Sequence, residues 1–486
     1  MHSWSTRLCQ VILPVSTAIS PCITTGSDST NIDLAQRIRS VHADYSSRAQ
    51  ALLDGVAALE IDWKVENSYK LAPMVASACF ATGADERARQ ILFKHSRIKP
   101  MVRYFDPEFP LYSTMHCYMQ WKDVPGKYTP ELKEAIRHYV CAATEPSSAV
   151  TYNHHWMLAT GLILARQEWG DAVQYKFRNR AEPGDETGKL WAKRELERIL
   201  LWSHGEALSP TYCQFSFGPM LPLYEHAKDP ELSQRCRKAL DYILVRLASF
   251  HFNGHCAGTT GRTYWPVTSQ SDDVPPAWLY FGGPGKPLGL AVVPMALASY
   301  RAPAAIARLA WDRKEVYLQK ATRGASGRKV RLLSFFNRSY VLFSEYLVNN
   351  YAGPRDTWFH ERLSWAVRWQ TADPRQASTF FIKHPCPKTR NHRLGDTPYN
   401  QVLQWQGSLI GLCRIPGTRP HPIDPKRWCP WILGVFPATP HMIDESNDGQ
   451  IWLHYGSVMI AVKLNAPFTL TEVDHGEKGK LREFKI

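Results

Sequence analysis

The sequence predicts a large helical domain followed by an antiparallel β-sandwich, and three observations predict it. Apolar residues recur at three- and four-residue spacing from about residue 32 to about 310. After about residue 328 they fall instead in short, often alternating runs rich in β-branched and aromatic side chains. The chain's 486 residues exceed one ordinary core, so two domains are the natural division.

Helical periodicity runs through Ala51–Leu59, Lys70–Phe80, Asp85–Phe93, Pro130–Ala143, His155–Glu168, Leu190–Ser203 and Pro230–Phe250. Two of these carry a start signal. Asp229-Pro230-Glu231 and Thr129-Pro130-Glu131 each set a capping oxygen before a proline at the first helical position. Helical hairpins recurring at roughly 40–60 residues without a consensus imply a curved array, an α/α toroid or incomplete barrel, and not a regular solenoid.

Strands are expected at Val330–Phe336, Tyr340–Tyr346, Leu363–Trp369, Ser378–Ile382, Val402–Gln406, Leu409–Ile415, Gln450–Tyr455 and Val458–Lys463. Turns with Pro, Gly and Asp separate them, as in a sandwich. The expected divisions are an N-terminal segment over 1–31, a helical domain over 32–310, a linker over 311–327 and the sandwich over 328–486. In the first segment Arg7 precedes Leu8-Cys9-Gln10-Val11-Ile12-Leu13 and Pro14. That is a short, interrupted version of a signal peptide, so processing and disorder both stay open there, with a secreted or periplasmic location favoured.

Formal net charge is +14, with no long Lys/Arg block. A basic folded surface favours acidic partners: nucleic acid, anionic membrane or acidic polysaccharide. Zinc-finger spacing, basic-region heptads and RNP-like aromatic motifs are all missing, so no nucleic-acid partner is expected. No apolar run approaches the ~20 residues of a membrane span. The 11 cysteines contain no C-x-x-C pair, and an odd, scattered set in a chain this long is not a disulfide framework; buried free thiols or one or two bridges are expected. His384, Cys386 and His392 lie close in sequence but lack zinc-site spacing, so neither metal nor cofactor is expected. The 17 Trp and 21 Tyr are core material in the ordinary case and stacking platforms for sugar rings in the functional one. Nothing in the sequence sets the oligomeric state.

Three stretches carry candidate chemistry. Thr151-Tyr152-Asn153-His154-His155-Trp156 opens a helix, where donors and the helix dipole favour an anion; simple capping by Asn153 is the ordinary alternative. The loop His204–Phe215 includes Tyr212, a candidate proton-transfer group or an ordinary packed aromatic. His255–Pro266 sets Arg262, Tyr264 and Trp265 beside Gly258 and Gly261, which allow close backbone approach, while Arg262 presents a fork for a carboxylate.

The order of Asn-His at a helix start, a Gly-x-x-x-x-Pro-x-Tyr loop ending 58 residues after His154, then an all-β domain resembles the heparinase-like and alginate-lyase-like polysaccharide lyases. Thr397–Trp405 and Ile451–Val458 resemble their sandwich strands. Phe215 stands where that pattern has a second tyrosine. The resemblance implies an α/α toroid with a sandwich, and β-elimination at a uronic acid. It implies that Asn153 and His154, with Arg262, neutralise the carboxylate, and that Tyr212, or Tyr264 in its place, moves the proton. It implies a sandwich histidine at the site, for which His360 is the candidate. His155, His116 and Trp265 complete the expected substrate contacts. Two rivals stand beside it. A glycoside hydrolase on the same scaffold needs paired carboxylates, for which Glu206, Glu225 and Asp85 offer no paired motif. A non-catalytic binder of acidic glycans needs only the aromatics and the basic surface.

Overall fold

The computed structural model describes residues 4–12, 44–104, 106–143, 151–178, 184–203, 208–259, 274–283, 290–312, 315–323, 330–347, 363–370, 378–384, 400–416, 431–437, 442–445, 450–456, 458–465, 467–474 and 480–485. The helical half holds α1 (44–57), α2 (Glu66–Tyr69), α3 (Ala72–Ala81), α4 (Asp85–Ile98), α5 (Glu108–Trp121), α6 (Pro130–Cys141) and α7 (Tyr152–Trp169). It continues with α8 (Lys189–Trp202), α9 (Cys213–Phe217), α10 (Met220–His226), α11 (Pro230–Ser249), α12 (Pro275–Phe281), α13 (Val293–Leu297) and α14 (Ala304–Trp311).

Burial sorts the longer helices into two layers. In α3 every residue from Ala72 to Phe80 is buried, and α5 is buried from Glu108 to Tyr118. Helices apolar on all sides belong inside. By contrast α4 buries only Ala88, Ile91, Leu92 and His95, a stripe one face wide, and α6 and α11 are one-sided in the same way. The proline-led starts fold as expected. Thr129 Oγ1 accepts from the Leu132 N–H, and the Asp229 carboxylate accepts from the N–H groups of Glu231 and Leu232.

The inner helices α3, α5, α7 and α10 run parallel. Ser113 near the start of α5 donates to Lys70 O just ahead of α3, while Trp121 at its end donates to Ser77 Oγ, 2.8 Å. Between α5 and α7 the ends match too, since Lys122 Nζ lies 3.1 Å from Glu168. Thr160 and Gln167 of α7 donate to Pro219 O and His226 O, which flank α10 start and end. Gly161 lets α5 and α7 touch: a Cβ there would stand 2.6 Å from Leu111 Cγ.

The second half holds β4 to β16, preceded by two outliers. The strand β1 is Trp4–Ile12, and β2 (His251–Phe252) and β3 (His255–Cys256) form a hairpin after α11. Its turn is Asn253-Gly254, both at positive φ, 49° and 94°, as the right-handed twist of a two-residue hairpin requires. Then follow β4 (Tyr317–Arg323), β5 (Val330–Phe336), β6 (Tyr340–Leu347), β7 (Trp365–Trp369), β8 (Thr379–Lys383), β9 (Asn400–Trp405) and β10 (Ser408–Pro416). The last are β11 (Leu433–Pro437), β12 (Met442–Glu445), β13 (Gln450–Tyr455), β14 (Val458–Leu464), β15 (Thr469–Asp474) and β16 (Lys480–Lys485). They make a six-stranded sheet, β12-β13-β14-β1-β10-β9, and an eight-stranded one, β15-β16-β11-β8-β7-β6-β5-β4, with antiparallel pairing throughout.

The two sheets face each other over one core. Trp365, Val367, Phe380 and Ile382 from one meet Ile451, Leu453, Ile460 and Val462 from the other, and Trp369 stacks on Tyr455 at 4.3 Å. The opposite face of the eight-stranded sheet, with Phe336, Phe343 and Phe381, packs on Phe252 and Ala257 of the helical half. Arg368 Nη1 donates to Cys256 O across that joint, 2.8 Å.

Two expectations differ from the structure. Within the segment expected to be a signal peptide or disordered, Trp4–Ile12 is a strand paired with β10 and β14. Within the expected linker, α14 reaches Trp311 and β4 spans Tyr317–Arg323. In both places alternation was diluted by polar and basic residues, and the pairing partner supplies the order. Among the described residues no helix is long and apolar enough to cross a membrane.

Candidate active site

Parallel inner helices bring their starting ends to one end of the layer. Lys70 precedes α3, Asp106 precedes α5, Glu108 opens α5, and Asn153 and His154 lie in the first turn of α7. The cluster follows from that arrangement. His154 Nδ1 is hydrogen-bonded to the Glu108 carboxylate and lies 3.8 Å from Asp106 Oδ1. Lys70 Nζ is 3.3 Å from Asp106 Oδ2 and 4.4 Å above the Phe109 ring. The Phe109 ring meets His154 edge to face at 5.2 Å and Phe215 at 5.4 Å; Phe215 lies 6.4 Å from Tyr212. Tyr212 is therefore on the same side of the helical layer as His154.

Asn153 is not the cap. Thr151 holds the N-cap position with extended backbone, and its hydroxyl donates to Asn153 Oδ1, 2.8 Å. The Asn153 side chain is wholly buried, and among the described residues its Nδ2 has no hydrogen-bond partner. A buried amide donor without an acceptor costs about 1–3 kcal/mol, which a ligand oxygen would recover.

The other predicted residues divide. His155 turns away from the cluster and packs between Phe177 and Trp191, 5.9 and 5.6 Å. His116 sits two turns deeper in α5, 2 % exposed. Burial, with His226 adding to it, pushes its imidazole down to about 3, so it is a neutral core group. Arg262, Tyr264, Trp265 and His360 lie outside the described residues, as do Cys386 and His392. The residues that sequence reading missed are Glu108, Asp106, Lys70 and Phe109. One signal was available: Asp106-Pro107-Glu108 repeats the pattern of Asp229-Pro230-Glu231.

Asp106, Glu108 and His154 each offer a donor atom within 4.8 Å of the others, as a cation site would. The Lys70 ammonium already sits on Asp106, however, and His154 is bonded to Glu108. The Lys70 ammonium offsets the Asp106 carboxylate, and a fixed cation beside the triad opposes a second one. The arrangement suits proton handling and hydrogen bonding to an anionic ligand.

No family model matches the sequence, and no curated protein matches it. Among solved structures the chain is similar to heparinase III, at 9% identity and a TM-score of 0.42, over 90% of this chain and 82% of that one.

Proposed function

We propose that this chain is a polysaccharide lyase that cleaves a uronate-containing acidic polysaccharide by β-elimination. The observation that carries the reading is the pairing of a buried Asn153 amide nitrogen, without an acceptor among the described residues, with His154 at the start of α7, on the side of the layer that Tyr212 occupies. The finer architecture belongs to the same proposal: α13 packs against both α10 and α3, which supports a ring of inner helices closing as a toroid.

In this reading the uronate carboxylate binds at Asn153 and His154, with Arg262 in support. Hydrogen bonds from these donors lower the acidity barrier at C5, because charge moves onto the carboxylate as the C5–H bond breaks. Tyr212 takes the C5 proton, or Tyr264 does so in its place. The electron pair forms the C4–C5 double bond, the C4–O4 bond breaks, and O4 leaves with a proton supplied by a tyrosine or by His360. Because Lys70 pairs with Asp106 and Glu108 with His154, directed donors rather than net positive charge do the neutralising. Trp265 is the proposed stacking platform.

Among the described residues the hydrolase rival has Asp106 and Glu108 close together, but Glu108 is 1 % exposed and bonded to His154, and Asp106 is paired with Lys70. The test is ultraviolet absorbance of the unsaturated product, with purified protein and a panel of uronate polysaccharides. Absorbance growing with cleavage, and substrate affinity falling with added salt, is the expected result. New reducing ends without absorbance, or salt-independent affinity for a neutral glycan, would overturn the proposal.

A further inference from the structure

We propose that Glu108 is the positioning residue for His154: its carboxylate accepts the Nδ1 proton and leaves Nε2 as the one ring nitrogen offered to a ligand, an acceptor in the free protein that takes a proton from water as the uronate binds and then donates it to the uronate carboxylate. The inference rests on the reading of His154 as a substrate-contacting group. Its geometry is independent of the polymer.

Three constraints act on the His154 ring. Glu108 holds Nδ1 from the first turn of α5, a helix buried along most of its length. Phe109, the next residue, meets the ring face to edge at 88° and limits its rotation. The backbone of α7 is fixed against α5 by the Gly161–Leu111 contact. Asp106 also approaches Nδ1, at 3.8 Å, but Lys70 draws its other oxygen, so Glu108 is the primary acceptor. A negative charge suits the first turn of a helix, where free N–H groups point outward. A neutral imidazole without partners prefers its proton on Nε2. A carboxylate at Nδ1 reverses that preference, and the hydrogen bond made by one ring nitrogen decides what the other presents.

The test uses full-length protein with 15N-labelled histidine. Long-range 1H–15N spectra are recorded where an ordinary imidazole is neutral, and His154→Gln identifies the His154 signals. The expected result is the Nδ1–H tautomer in the wild type, retained in Glu108→Gln, whose amide oxygen still accepts, and replaced by Nε2–H in Glu108→Ala. On a cleaved polymer, Glu108→Ala lowers kcat about 10- to 100-fold and raises KM in the same direction as His154→Ala, and Glu108→Gln recovers part of both. Should Glu108→Ala fail to fold, Glu108→Asp withdraws the carboxylate by one methylene and gives the same readout. An Nε2–H tautomer in the wild type, or a tautomer indifferent to every Glu108 variant, overturns the inference. Loss of the lyase reading looks different: no polymer yields an absorbing product while the tautomer pattern stands.

Discussion

The ring of His154 stands edge to face with that of Phe109, centroids 5.2 Å apart, and Phe109 in turn touches Phe215. This aromatic chain connects a histidine at the start of α7 with Tyr212, 58 residues later, ahead of α9. Separate roles for the two residues give separable kinetics. Tyr212→Phe removes only a phenolic oxygen, so turnover falls ~100- to 10,000-fold while substrate binding stays near the parent value. His154→Ala lowers both, because it removes a contact made before and during the reaction. Steady-state kinetics checks this, with Tyr264→Phe as the control. Full activity in both tyrosine variants would end the tyrosine mechanism.

Gly161 governs the approach of α5 to α7. Ala at this position drives its Cβ to 2.6 Å from Cγ and 3.0 Å from Cδ2 of the fully buried Leu111. Gly161→Ala is expected to cost about 1–3 kcal/mol in urea denaturation. Because the same two helices hold Glu108 and His154, activity falls more than the stability loss alone explains at temperatures where the variant is folded.

Two buried histidines make the fold sensitive to mild acid. Burial pushes His95 down to about 4 and His116 down to about 3. Both are neutral in the folded protein and take up protons near pH 6.5 when it unfolds. Their contribution is complete above pH 6.5 and is lost as pH falls towards those lower values. Each adds a slope approaching ~1.4 kcal/mol per pH unit. Denaturation measured between pH 7 and 5 should show the decline, and His116→Gln should flatten it by up to one proton.

The joint between the halves depends on Arg368, 7 % exposed, whose guanidinium reaches the Cys256 carbonyl. Arg368→Met leaves that carbonyl without its charged donor, at about 1.5–3 kcal/mol. Calorimetry should show the parent's melting replaced by two separated transitions. A single unshifted transition would mean that Phe252 and its apolar neighbours hold the joint unaided.

The helices most legible in the sequence were the one-sided ones: α4, α6 and α11 carry a stripe and, in two cases, a proline-led cap. Helix α5 was missed for the opposite reason. Buried on nearly every face, it has no polar side to set a period, and Ser113, Thr114 and His116 interrupt its apolar run. Missing α5 hid Glu108, so His154 was read without the group that holds it. Asn153 was legible as a residue at a helix start, yet its burial was not, since that depends on packing between α5 and α7. Among the strands, β13 and β14 alternate buried and half-buried residues and were read correctly. The wholly buried β11, with Gly434 and Pro437, shows no alternation and was passed over.

The position of β1 orders the making of the protein in time. Trp4–Ile12 is synthesised long before β10 and β14, the two strands between which it lies. Until β10 and β14 emerge that strand lacks both of its sheet neighbours, and pairing across so long a sequence separation forms slowly. A chain shortened by its first twelve residues would lose an interior strand instead of a tail. The six-stranded sheet would split into β12-β13-β14 and β10-β9, with two newly exposed edges ready to pair with other molecules.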